Sequence, residues 1–260
     1  MAEVKQTKIE ISDGALIPDK GEKSVFSAWR ISFFGAIALL VILPIVSPDP
    51  FWRIIRFVPD GVFRTFQVTV LSIVIALVIG LIAGLGRISR VTVVNRIATV
   101  YVEVIRGIPL LVQLFYIYYA LGKFLTLPPI IAAVAAMSVC YGAYMGEIFR
   151  AGIQSIPKGQ MEAALALGMS RAQAIRKVIL PQTFRTILPP IGNEFIALLK
   201  DSSLVSILAV SDLLRRGREF ASVSFQYFET YTVVALVYLV ITLFLSKLVA
   251  YMEQRLERGG

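Results

Sequence analysis

Six long apolar runs dictate the backbone of this chain. Ile31–Ser47, Val62–Leu85, Ala98–Leu121, Pro129–Phe149, Gly192–Val210 and Thr230–Tyr251 each approach the ~20 residues that a helix needs to cross about 30 Å of hydrocarbon. Inside a bilayer only a helix or a closed barrel satisfies every backbone N–H and C=O. Runs of this length are too long for barrel strands, so an all-α integral membrane protein with six spans is expected. The first run is short and ends in Pro-Ile-Val-Ser-Pro-Asp-Pro, and the fifth is the least hydrophobic. Hydrophobic residues make up 57% of the chain, above the roughly 45–50% of soluble domains.

Charge sets the orientation. Net charge is +9, which in a membrane protein reflects basic loops on the cytoplasmic side. With the N-terminus inside, 17 of the 26 Lys and Arg residues fall in inner segments and seven in outer ones, with Arg106 and Lys200 left within spans. Both termini are therefore expected in the cytoplasm. The chain has no His, which excludes His metal ligands and His general bases. The lone Cys140 lies in an apolar run and reads as packing. Residues 1–30 are polar and of mixed charge and read as a cytoplasmic tail. No Ala-x-Ala cleavage pattern follows the first run, so it is not read as a signal peptide.

Between the fourth and fifth runs lies EAALALGMSRAQAIRKVILP, Glu162 to Pro181, too polar to span and too regular for a loose loop. Gln160 to Leu167 is strongly helix-forming. Gly168 fits the position after a helix end, where a left-handed conformation is wanted. Ser170 and Gln173 have the spacing of a capping box opening a second helix, with Ala174, Ile175, Val178 and Ile179 as its apolar stripe. Pro181 is expected to end that helix or to kink the chain into the next span. The result is a helical hairpin with three uses: a connector lying on the membrane, a DNA-reading helix-turn-helix, or a docking element for a soluble partner. Short links to spans on both sides keep a recognition helix from reaching a major groove, which argues against nucleic acid.

At these residues the chain resembles a known family. Glu162-Ala163-Ala164, Gly168, Val178 and Leu180-Pro181 follow the pattern E-A-A-x3-G-x9-(I/V)-x-L-P of the cytoplasmic loop of ABC importer permeases. VEVIRGIPLLVQLFYIYYAL (102–121), YMGEIFRAGIQSIPKGQ (144–160) and LPPIGNEFIALLKDSSLVSIL (188–208) resemble the polar-amino-acid branch, the histidine, glutamine and arginine type. The resemblance runs from about Gly61 to Arg258. It implies a type I ABC importer-like helical bundle of five core spans, here with one extra N-terminal span. It divides the chain into a cytoplasmic tail 1–30, an extra span and outer loop 31–60, a permease domain 61–252 containing the coupling hairpin 155–181, and a cytoplasmic tail 253–260.

The same resemblance implies a bacterial inner-membrane location and a polar amino acid as solute. It implies two ATPase subunits, a second permease subunit and an extracytoplasmic solute-binding protein as partners. Glu162, Ala163, Ala164, Gly168 and Ser170 become the candidate ATPase-coupling residues. The sequence holds no G-x4-G-K-[ST] loop, so ATP and Mg are expected on the separate ATPase, with no cofactor in this chain. The rival reading is a non-transporting anchor or sensor that recruits a cytoplasmic partner through residues 155–181. A membrane-embedded enzyme is disfavoured because no nucleophile–base pair stands out.

Charges at membrane depth are costly unless they face a cavity or a partner. Glu103, Arg106, Gln113, Glu147, Asn193, Glu194, Lys200, Asp201 and Ser202 are the candidate substrate-binding residues. A zwitterionic solute needs a cation for its carboxylate, from Arg106 or Lys200, and an anion for its ammonium, from Glu103, Glu147 or Glu194. For Glu103 and Arg106, interhelical pairing or the cytoplasmic interface competes with a substrate role. Gly107 and Pro109 are expected to break their helix locally. Phe115, Tyr116, Tyr118 and Tyr119 read as an interfacial aromatic belt. Arg215, Arg216 and Arg218, outside against the charge rule, read either as a docking face for a solute receptor or as a solvated loop.

Overall fold

The computed structural model describes residues 27–258 apart from residue 125, so the expected tail 1–30 lies almost wholly outside the described residues. Helix α1 (Ala28–Val46) starts where the Ser27 side chain accepts from the Arg30 N–H. α2 (Pro48–Phe57) is short and amphipathic, and α3 (Pro59–Arg87) crosses the bundle. α4 (Thr92–Gly107) and α5 (Leu110–Phe115) follow, α5 running on through a π turn, Tyr116–Ala120. α6 (Pro129–Gln154) leads to the hairpin of α7 (Lys158–Ala166) and α8 (Arg171–Ala174). A π turn at Ile175–Ile179 continues into α9 (Leu180–Asp201). After a 3-10 segment, Ser202–Leu208, come α10 (Leu213–Ser224) and α11 (Tyr227–Arg258).

Among the described residues four helices are long and apolar enough to cross a membrane, and α4 with α5 passes the same test as a pair bent by 102°. α9, too polar to qualify by composition, packs between α11 and α6. The expected runs at 62–85, 129–149 and 230–251 fall within α3, α6 and α11, and that at 31–47 within α1 and its C-cap, Ser47. The run at 192–210 does not correspond to one helix. Its helix begins at Leu180 and ends at Asp201, and the chain then tightens and turns back through Ala209 at φ 64°. Ser202, Val205, Ser206, Leu208 and Val210 are buried. They are apolar or small because protein surrounds them, and hydropathy does not distinguish a protein interior from lipid. The expected outer loop before residue 61 is also structured, as α2.

Pro181 neither ends nor interrupts the helix. The turn just before it widens to π geometry, with the Leu180 N–H bonded to the Ile175 carbonyl. That shift moves the ladder off the carbonyl against which a proline ring clashes in a regular α-helix.

Lipid tails are as apolar as Leu, so helices in a bilayer are held by close packing and hydrogen bonds rather than by exclusion of water. The tightest seam joins α3 to α6. A Cβ on Gly84 would stand 2.8 Å from the Gly146 carbonyl oxygen, so a larger residue there would force the helices apart. A core of Val68, Ala76, Met137, Met145, Leu198 and Val205 extends from this seam to α9. A second cluster, Phe51, Ile54, Val58, Leu213, Phe220 and Val233, ties α2 to α10 and α11. The Trp29 indole N–H donates to the Leu243 carbonyl (3.0 Å), fixing α1 on α11. Asp212 caps α10 by accepting from the Leu214 and Arg215 N–H groups. Burial pushes its carboxyl up from 3.8 to about 6, against those hydrogen bonds.

Candidate functional site

The break between α4 and α5 opens a cleft. Pro109 drives Ile108 to extended geometry (φ −106°, ψ 127°), as a proline does to the residue before it, and the chain turns. The carbonyls freed at the break need donors. The buried Gln113 side chain supplies them, its Nε2 donating to Ile105 O (2.9 Å) and Ile108 O (2.8 Å). Gln113 thus holds the bend from behind and is not part of the cleft lining.

The cleft measures about 490 Å³ and is lined by the broken segment from Arg106 to Leu110, by Cys140, Tyr141 and Tyr144 of α6, and by Glu194, Ala197 and Asp201 of α9. The Arg106 guanidinium stands 5.1 Å from the centre of the Tyr144 ring. The Tyr141 hydroxyl donates to Asp201 Oδ2 (2.8 Å). Among the described residues Arg106 has no ion-pair partner. Tyr141 lies twelve residues into α6, about 18 Å from its start. Glu194 lies fourteen residues into α9, about 21 Å from the hairpin side. The cleft is therefore deep within the bundle, with one cation and two carboxylates in its lining.

Of the candidates from sequence, Arg106, Glu194 and Asp201 are brought together here. Glu103, Asn193 and Lys200 are exposed and do not line this cleft. Ser202 is buried and donates to the Leu199 carbonyl (2.7 Å). Glu147 sits between Arg87 and Arg150, joining α3 to α6. Tyr141 and Tyr144 were not singled out by sequence. Their signal is two tyrosines three apart, separated by Gly142 and Ala143, in an apolar helix.

The outer arginines are engaged within the chain. Arg215 bonds Glu219 (3.0 Å) and the Ser206 carbonyl, Arg216 bonds Asp60 (3.0 Å) and Glu219 and stacks 4.2 Å from the Phe57 ring centre, and Arg218 reaches Ser206 Oγ. They clamp α10 to its neighbours, so they do not form a solvated loop.

At the opposite end of the bundle the hairpin has a defined shape. α7 closes in a Schellman motif, Gly168 N–H to Leu165 O (2.9 Å) and Met169 N–H to Ala164 O (3.2 Å), with Gly168 at φ 79°. Ser170 and Gln173 form both bonds of the capping box. Ala164 is buried at the hairpin's own contact, whereas Glu162, Ala163, Gly168 and Ser170 face outward. Leu167 at the tip is 80% exposed, an apolar group that no described residue of this chain covers.

The family described as "Binding-protein-dependent transport system inner membrane component" matches residues 76–258. The glutamine transport system permease protein of Escherichia coli (strain K12) is 42% identical over 209 residues, covering 79% of this chain and 95% of that protein. The L-cystine transport system permease protein of Bacillus subtilis (strain 168) is 41% identical over 210 residues, covering 80% and 88%. A crystal structure of an amino acid ABC transporter with histidines superposes with TM-score 0.74 at 43% identity, over 77% of this chain and 94% of that one. An inward-facing methionine ABC transporter, at 22% identity and TM-score 0.63 over 78% and 96%, shares the fold.

Proposed function

The chain belongs to the family of binding-protein-dependent transport system inner membrane components, and from that premise we propose that it is the permease subunit of an ATP-driven importer for a polar amino acid, with the cleft at the α4–α5 break as the place where the solute pauses. The carrying observation is that Arg106, Glu194 and Asp201 line that one cleft. A guanidinium free of carboxylate partners suits the solute carboxylate, and the acidic wall suits its ammonium. Tyr144 holds the guanidinium over its ring face, where a cation is favoured. Helices broken at mid-membrane suit such a site because their backbone polar groups can face a cavity instead of lipid.

Transport then proceeds by alternating access. A solute-binding protein delivers the amino acid at the outer end, a second permease subunit completes the path, and a separate ATPase pair, which holds ATP and Mg, closes on the hairpin. Glu162, Ala163, Gly168 and Ser170 with the exposed Leu167 form the surface it grips, and the continuous helix from α8 through α9 transmits the motion toward Glu194 and Asp201. Both termini lie in the cytoplasm on the strength of the Lys and Arg asymmetry. A non-transporting anchor would have no use for a charged cleft at this depth.

The deciding experiment reconstitutes the chain with its ATPase and receptor in vesicles and follows uptake of radiolabelled glutamine, arginine and cystine. ATP-dependent accumulation of at least one is expected. Receptor-stimulated ATP hydrolysis without accumulation of any amino acid would reject the importer reading.

A further inference from the structure

α2 carries a feature that transport leaves unused. It joins the ends of α1 and α3, two spans, on the side of the bundle away from the hairpin, so it lies where hydrocarbon gives way to headgroups. Phe51, Ile54 and Val58 are buried against α10 and α11, while Trp52, Arg53 and Arg56 are exposed. Between α2 and α10 an open cleft of about 490 Å³ is lined by Arg53, Arg56, Phe57, Glu219, Phe220 and Val223. Its floor is apolar and its rim basic. The Arg53 guanidinium stands 5.7 Å from the Phe220 ring centre and that of Arg56 5.3 Å from the Trp52 ring centre.

The one acidic lining residue, Glu219, is already engaged by Arg215 (3.0 Å) and Arg216 (3.3 Å). Arg53 has Asp49 at 3.6 Å, an exposed pair of little strength, so the rim stays positive. Beside the cleft, Val223, Phe225 and Phe228 are exposed at 83%, 78% and 81%, which suits contact with hydrocarbon and not with water.

We propose that this cleft binds an anionic phospholipid, its phosphodiester held between Arg53 and Arg56 and an acyl chain lying along Phe57, Phe220 and Val223. Guanidinium forks match phosphate oxygens in shape as well as charge. Long basic side chains at a span end place their heads at headgroup level while their stems stay on apolar surface. A soluble acidic partner would answer the charge but would leave the apolar floor and the neighbouring phenylalanines without a function. The bound lipid would fasten α2, and with it the segment ahead of α3, to α10. The site is independent of which amino acid is carried.

The test uses the full assembled complex in nanodiscs of phosphatidylcholine with a minor fraction of phosphatidylglycerol, followed by native mass spectrometry of the lipid retained on release. The unaltered complex is expected to retain phosphatidylglycerol over phosphatidylcholine. The double variant Arg53→Gln/Arg56→Gln should lose that preference on the order of tenfold, the effect of two basic residues at a headgroup surface. Arg64→Gln, the same loss of charge on a residue outside this cleft, should keep it. Unchanged preference in the double variant, or equal loss in Arg64→Gln, would overturn the site. So would water-soluble glycerophosphoglycerol competing as well as the intact lipid, which would mean an anion site without an acyl groove. If the double variant keeps its lipid but loses receptor-stimulated hydrolysis, the arginines belong to a receptor dock and the lipid proposal falls.

Discussion

The Tyr141 hydroxyl donates to the Asp201 carboxylate over 2.8 Å, and this bond joins the middle of α6 to the last residue of α9 along one wall of the cleft. It orients an anion where a solute ammonium would arrive. Tyr141→Phe keeps the ring and removes the donor. A hydrogen bond to a charged group contributes about 1.5–3 kcal/mol, so half-maximal uptake should require on the order of tenfold more solute. Thermal stability of the complex should fall as well, by no more than that contribution. Unaltered uptake at low solute would show that this bond serves only to fasten α6 to α9.

Arg106 and Lys200 are both cations at membrane depth, yet only Arg106 lines the cleft. Arg106→Gln should therefore raise the solute concentration needed and change the preference among amino acids, while the complex still assembles. Lys200→Gln should leave both within about twofold, as expected for an exposed side chain off the path. The reverse ranking in a transport assay would move the solute carboxylate to the other face of α9.

Much of the site was legible where chemistry is local. Gly168, Ser170 and Gln173 announce a turn and a cap by residue type and spacing, and Gly107 with Pro109 announces a broken helix. What sequence could not supply is which charged side chains share a space. Glu103 is three residues from Arg106 and shares its helix, yet only Arg106 reaches the cleft, because the chain bends at Gly107 rather than running on. The fifth span was misplaced for a related reason. Residues 202–210 are apolar because α3, α5 and α6 enclose them, and a hydropathy window responds to that burial as it does to lipid. Tyr141 and Tyr144 are not marked as site residues by the sequence, because a tyrosine in an apolar helix carries no sign of where its hydroxyl points.

Orientation has its own test. Reporter fusions at Asp49, Lys123 and Phe220 should report the outer side, and fusions at Asn95 and Lys158 the cytoplasm, as the distribution of Lys and Arg requires. An outside signal at Lys158 would place the hairpin beyond reach of any cytoplasmic ATPase.

Asp212 makes stability depend on pH at the end of the bundle away from the hairpin. Its carboxyl is raised from 3.8 to about 6 by burial, with Tyr238, Arg215 and Arg218 around it. Between those two values the folded chain holds a proton that the unfolded chain has released. Its contribution is thus fully present below about 3.8 and lost as pH rises through 6. A shift of this size amounts to about 3 kcal/mol. The thermal midpoint of the wild-type complex, taken relative to Asp212→Asn, should fall across that window and level off above it. Asn keeps the helix cap and removes the titration. Parallel curves for the two proteins would mean that Asp212 stays ionised throughout.

The hairpin offers the sharpest separation of folding from coupling. Gly168 sits at φ 79°, and a Cβ there would meet nothing within 4 Å, so the obstacle to substitution is backbone strain and not crowding. Gly168→Val should cost roughly 1–3 kcal/mol of local strain and swing α8 away from α7, whereas Gly168→Asn, which tolerates the left-handed region, should be nearly silent. Leu167→Glu alters only the exposed tip and should leave the chain as stable as before. Both Gly168→Val and Leu167→Glu should still insert into the membrane, since neither touches a span. In reconstituted vesicles both should lose receptor-stimulated ATP hydrolysis and uptake together, the first through shape and the second through an apolar contact. Full stimulation by Leu167→Glu would remove the tip from the ATPase contact, and full stimulation by Gly168→Val as well would reduce the hairpin to a connector on the membrane surface.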